Sequence, residues 1–216
     1  MVRIVAALLL LALPAAAQPA SGTAASGTTA SGPTETFGPW LLTCTGDRMT
    51  DTTECRMLHR TPVEPATTGH AALALEVVDR GGRLVPAVTA RDLTLEGAAR
   101  GVLAVTGTAQ LRFPPNRFFD MPCGLEGRSL VCAPRDADLA RAAAELPGAD
   151  RVLVRITGLL VPDAQAMREP AELRVADTAP ALARFRARAP AGSAPPPAPA
   201  LDVRDMLGRL MRLLQG

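Results

Sequence analysis

The chain has no lysine and no tyrosine, one tryptophan and two histidines, and aromatic residues make up 3% of its 216 positions. Scarce aromatics leave few stacking platforms for bases or sugars. With His59 and His70 as the only imidazoles, acid–base and metal chemistry have little to draw on. No C-x-x-C occurs, which excludes a thioredoxin-like redox pair and a C-x-x-C-H haem attachment. There is no G-x-x-x-x-G-K-S/T phosphate loop, and Gly81-Gly82 is a turn. The run Gly127-Arg128-Ser129-Leu130-Val131 fails the G-x-S-x-G nucleophile elbow at its last position. Asp136 and Asp138 stand where acidic side chains complement a helix dipole, not where a carboxylate pair would do acid–base work. No catalytic residue, cofactor or metal is expected. The missing lysine and tyrosine fit a codon-composition bias and carry no functional content.

An excess of charge is also missing. The formal charge is +2, and it becomes +1 once Arg3 is removed, with 22 arginines against 21 acids. Nucleic acid is not an expected partner. No apolar run reaches the roughly 20 residues that span a bilayer. The first stretch has instead the parts of a Sec-type signal peptide: Arg3, an apolar core from Ile4 to Leu13, and Ala15-Ala16-Ala17 as cleavage site. Cleavage after Ala17 is expected, giving a periplasmic or secreted protein with no transmembrane span in the mature chain. No cysteine sits at the cleavage site, so a lipoprotein anchor is not expected there.

Export sets the reading of Cys44, Cys55, Cys123 and Cys132, because an even cysteine count in an oxidising compartment points to disulfides. Three connectivities are possible. The local pairs, Cys44 with Cys55 and Cys123 with Cys132, are preferred, since each flanks a short polar segment resembling a connection between strands. Each crosslink contributes roughly 2–3 kcal/mol for loops of this size. Cys44, Cys55, His59 and His70 carry atoms suited to zinc, but they lack the close C-x2–4-C clamp of structural sites.

At 48% hydrophobic residues, the chain can build one core of domain size. After the signal peptide (1–17), residues 18–36 are a low-complexity Ala/Ser/Gly/Thr spacer that cannot bury a core. A domain over 37–189 follows. Strand candidates are Cys55–Leu58, Ala71–Val78, Leu84–Val88, Leu93 with Leu95, Gly101–Val105, Leu111–Phe113, Val152–Leu160 and Leu173–Val175. Arg80-Gly81-Gly82-Arg83 is a hairpin turn. Many short strands separated by turns predict a mainly β fold, an antiparallel β-sandwich-like single domain. Two short helices interrupt it, Asp136–Leu146 and Ala181–Ala189. The second carries Arg184, Arg186 and Arg188, which form either a solvated basic face or a docking site for an acidic partner.

Residues 190–200 are a proline-rich linker, about 30 Å long if extended. Beyond it, over 201–216, Val203, Met206, Leu207, Leu210, Met211 and Leu214 recur at helical spacing among Arg204, Arg209 and Arg212. Such an amphipathic helix suits an envelope protein's groove or a membrane surface.

Phe37-Gly38-Pro39-Trp40 followed by Cys44, then Cys55, a run of strands, and Cys123 to Cys132-Ala133 before a helix, resembles the invasion-associated locus B family of bacterial exported proteins. Phe37, Gly38, Trp40 and Cys44 match that family's opening. The resemblance covers about residues 37–188 and implies a disulfide-containing β domain, exported, with Trp40 as a core anchor. The longer segment between Cys123 and Cys132, the proline tether and the terminal helix depart from the family pattern. The expected function is a non-catalytic envelope or protein-interaction module, engaging its partner or a membrane through the C-terminal helix. A secreted host-interaction factor is the second expectation, and a small-molecule binder or enzyme the third.

Overall fold

A computed structural model describes residues 30–49, 51–67, 71–91, 93, 107–157 and 165–190. The expected signal peptide, most of the spacer, His70, Leu95, the strand at 101–105, residues 158–160, the proline-rich linker and the terminal helix lie outside the described residues. Eleven strands are described. They are β1 (Ala30–Ser31), β2 (Glu35–Phe37), β3 (Trp40–Asp47), β4 (Thr52–His59), β5 (Ala74–Arg80) and β6 (Arg83–Ala90), then β7 (Thr108–Arg112), β8 (Phe119–Glu126), β9 (Ser129–Cys132), β10 (Arg151–Thr157) and β11 (Ala171–Arg174). Helices α1 (Leu139–Glu145), α2 (Gln165–Arg168) and α3 (Thr178–Arg188) accompany them, α1 being framed by 3₁₀ turns at Asp136–Asp138 and Leu146–Gly148.

The strands form one antiparallel sheet in the order β1-β3-β4-β5-β6-β9-β8-β7-β10-β11, with β2 also on β3. The mainly antiparallel β class is as expected. In place of the two packed sheets of the expected sandwich-like arrangement, the described strands form a single sheet curled into a half-barrel. The reason lies in β8, which changes partners midway: Phe119–Pro122 pair with β7 and Cys123–Glu126 pair with β9. A strand shared in this way turns the sheet without ending it.

One period-two register runs across the sheet and defines its inner face. Val154 stands opposite Leu111 and Leu111 opposite Phe119; past the changeover, Cys123 faces Cys132, Cys132 faces Val88, Val88 faces Leu75, Val77 faces Met57 and Met57 faces Leu42. Every one of these side chains is buried. A slip of one residue in any strand would turn its apolar set outward. Both disulfides lie on this face and join directly opposed residues, Cys44 to Cys55 and Cys123 to Cys132, with Cα–Cα distances of 4.0 and 3.9 Å. The local connectivity is therefore the one present.

Several boundaries differ from the sequence expectation. Pairing of Ala30–Ser31 and Glu35–Phe37 with β3 carries the folded region back into the stretch assigned as spacer. A low-complexity segment can take strand form when an edge offers it hydrogen bonds, as Gly32 shows by donating to the Cys44 carbonyl at 2.8 Å. The second helix starts at Thr178 instead of Ala181, because Pro180 falls in the first turn, where its missing N–H costs nothing. The Gly81-Gly82 hairpin is as expected, with φ of 60° and 81°.

Glu76 was hidden by the pattern ALALEVV. It points to the outer face of β5 yet is 2% exposed. Its carboxylate accepts from Thr89 Oγ1 at 2.6 Å and from Arg91 Nε and Nη2 at 2.9 Å each, with Arg56 Nε at 3.5 Å. Removing the acid would leave two guanidiniums, about a third and a quarter exposed, facing each other across a vacated buried position. Glu76→Ala should lower unfolding stability by about 3–5 kcal/mol, measured by urea denaturation; a loss within the range of an ordinary surface substitution would refute that weight.

Candidate functional site

The motif Phe37-Gly38-Pro39-Trp40 sits where the two ends of the curled sheet meet. Phe37 and Trp40 pair across the tight turn from β2 into β3. Gly38 adopts φ +52°, and a Cβ there would stand 2.7 Å from Asp177 Oδ2 and 3.2 Å from the Ala176 carbonyl. Glycine is required both by the left-handed backbone and by the approach of the chain entering α3. Trp40 is fully buried, as a core anchor should be; its Nε1 donates to Thr178 Oγ1 at 2.9 Å, and the Thr178 hydroxyl donates onward to the Val175 carbonyl.

His59 packs edge-on against Trp40, with ring centroids 5.5 Å apart. Its Nε2 lies 2.8 Å from the Arg174 carbonyl, and its Nδ1 is 3.1 Å from the Thr61 amide and 2.8 Å from the Thr61 carbonyl. The Arg174 carbonyl can only accept, so Nε2 is the donor in that bond. His59 thereby ties β4 to the end of β11. Ser129 is buried and faces Glu126 across the β8–β9 hairpin. The Cys44 and Cys55 sulfurs are bonded to each other and hold no thiolate for a metal. Asp138 accepts from Arg141 Nη2 at 2.8 Å, so it acts through an i,i+3 ion pair and not by capping a helix amide.

The structure pairs each arginine of the basic face of α3 with a carboxylate of the domain while leaving Arg184 and Arg188 partly exposed. Arg184 Nε donates to Glu35 Oε2 at 2.6 Å and Arg188 Nη2 to Glu35 Oε1 at 2.9 Å. Arg186 is paired with Asp79 and donates to the Gly82 carbonyl at 2.6 Å. All three are engaged internally, binding α3 to β2 and to the β5–β6 hairpin while Ala181 and Phe185 sink into the core. The sequence reading missed the acids because Glu35 and Asp79 lie 149 and 107 residues away from their partners.

Beside this clasp the inner face continues past the end of α3 as a cleft of about 180 Å³, bounded by Gly32, Glu35, Cys44, Gly46, Thr53 and Arg188. Ligand pockets usually measure about 300–1,000 Å³. This one lies below that range. It lies where the chain leaves the domain, since Arg188 lines it and Ala189 N caps the helix by bonding to the Phe185 carbonyl at 2.8 Å.

The fold thus defines a disulfide-stapled, mainly antiparallel β domain with its last helix clasped across the mouth of the sheet. No protein-family model, curated protein or solved structure matches the chain.

Two outcomes test this geometry. Gly38→Ala should destabilise the domain by at least about 1–2 kcal/mol, the ordinary penalty of left-handed backbone for a residue with a Cβ; a neutral effect in thermal unfolding would contradict the close approach. The Glu35 carboxyl is held below its usual range, chiefly by the Arg184 hydrogen bond, with burial opposing and Arg188 assisting. A depressed folded pKa means that the contribution is present above the ordinary carboxylate range and is lost as pH falls through the lowered value. The stability difference between the wild type and Glu35→Gln should be steady near neutrality and vanish in acid. A difference that persists undiminished at the acid end would be inconsistent with the clasp.

Proposed function

We propose that the protein is an exported, non-catalytic envelope protein similar to the invasion-associated locus B family. Its β domain is a rigid carrier, and its C-terminal segment, Leu201–Gln215, engages an envelope protein or a membrane surface. The observation that carries this is the clasp of Glu35 and Asp79 on α3: it fixes the point at Pro190 from which the proline-rich linker departs. A tether rooted in a rigid domain gives its terminal helix a defined reach.

Two disulfides support export, because such bonds persist in oxidising compartments. Among the described residues no helix is long and apolar enough to cross a membrane.

The experiment is envelope fractionation with in-cell crosslinking, comparing the full chain with a version ending at Ala189. The full chain should sediment with membranes or crosslink to one partner, and the shortened chain should be released. Equal behaviour of the two forms would remove the terminal segment from the function.

A further inference from the structure

The outer face of the sheet differs between its two halves. Around β5 and β6 it is buried, whereas on β7, β10 and β11 the outward positions include the exposed arginines Arg112, Arg151, Arg155 and Arg174. Arg151 and Arg174 are directly opposed across β10 and β11, an arrangement of like charges that weakens a sheet. Glu172 is the one carboxylate among the described residues that pairs with any of the four, reaching Arg151 at 3.4 Å. Asp120 on neighbouring β8 is hydrogen-bonded to the Gln110 amide at 3.1 Å. Arg155 and Arg174 form no ion pair among the described residues.

This face runs into the loop 113–118, whose backbone is pinned from two sides. Arg112 Nε donates to the Asn116 carbonyl at 2.8 Å, and Arg141 Nη1 donates to the Arg117 carbonyl at 3.1 Å. Phe113 and Phe119 anchor both ends in the core, edge to face with centroids 6.3 Å apart. Between them Phe118 points outward, 52% exposed, next to the exposed Arg117, which forms no ion pair among the described residues. Pinning the loop removes much of the freedom by which an exposed phenylalanine could fold back onto the domain.

We infer that this face, with Phe118 at its rim, docks on an anionic lipid surface. The three arginines of α3 are each paired with Glu35 or Asp79, while of the four on β7, β10 and β11 one is ion-paired among the described residues, and the same face carries two acids, Glu172 and Asp120. Such a plane complements a negatively charged bilayer, and basic residues near it gain from its surface potential. The projecting aromatic reaches the apolar layer beneath the headgroups. A protein partner is less favoured, because Phe118 is the one exposed large apolar side chain on this face among the described residues, too little for the apolar centre of a stable interface. The inference deepens the envelope-association reading and takes its setting from it, but it uses none of the residues beyond Pro190.

The test uses the full mature chain carrying Phe118→Trp, added to phosphatidylcholine vesicles with and without phosphatidylglycerol. Trp40 is fully buried and serves as a constant background. Trp emission should shift to the blue and be quenched by brominated lipid only with anionic vesicles. Arg155→Gln with Arg174→Gln should weaken sedimentation with those vesicles roughly 30-fold, with near-ultraviolet circular dichroism unchanged. Vesicle binding without a shift at position 118 and without loss in the double variant would overturn the inference, while leaving attachment through the terminal helix intact. It is equally overturned if the protein ignores vesicles, if it binds a soluble acidic polymer instead, or if the shift depends on protein concentration without lipid, which would mark a self-association face.

Discussion

The buried hydrogen bond from the Trp40 indole to the Thr178 hydroxyl holds together what the rest of the structure leaves apart. A half-barrel sheet has two ends, and here β3 and β4 lie near one and β11 near the other. Trp40 with Thr178, and His59 with the Arg174 carbonyl, join those ends through polar atoms that the core would otherwise strand. An unpaired indole N–H in this position would forfeit its hydration with no return. The seam therefore selects one closure of the sheet, and α3 follows from it because Thr178 is the first residue of that helix.

Around the seam, charge is placed with economy. With no lysine in the chain, its permanently cationic side chains are all arginines, whose planar fork suits fixed pairing with carboxylates and carbonyls. Arg91 grips Glu76, Arg184 and Arg188 share Glu35, and Arg112 and Arg141 hold loop carbonyls. Much of the cationic character visible in the sequence is thus spent inside the domain. Of the arginines that remain exposed, Arg112, Arg151, Arg155 and Arg174 share one face of the sheet.

How much of this was legible beforehand depended on the range of the interaction involved. The Gly81-Gly82 hairpin and the alternation of Leu75 and Val77 are local, and the sequence pattern conveys them directly. The cysteine pairing was readable because both bonds join neighbouring strands. The role of Trp40 as a buried anchor followed from resemblance, but its partner Thr178 lies 138 residues downstream and no local signal points to it. β1 and β2 were unreadable for a different reason: Ala30 and Ser31 have weak strand preference, Glu35–Phe37 is too short to show alternation, and both are strands because the edge of β3 recruits them. Glu76 was invisible because a single acid in an apolar run looks like an outward position, and only the fold shows that this outward position is dry.

Glu35 and the arginines of α3 also join the two termini of the described region to each other. β1 and β2 are its first strands and α3 its last helix, and one carboxylate spans them. Tension applied between the leading and trailing ends of the chain meets this ion pair first, in shear, together with the few hydrogen bonds of β1 and β2. The central strands, with both disulfides locking neighbouring pairs, lie outside that load path. Mechanically the domain is a closed link whose weakest joint is at its ends, so that pulling would loosen the attachment points before it disturbed the core.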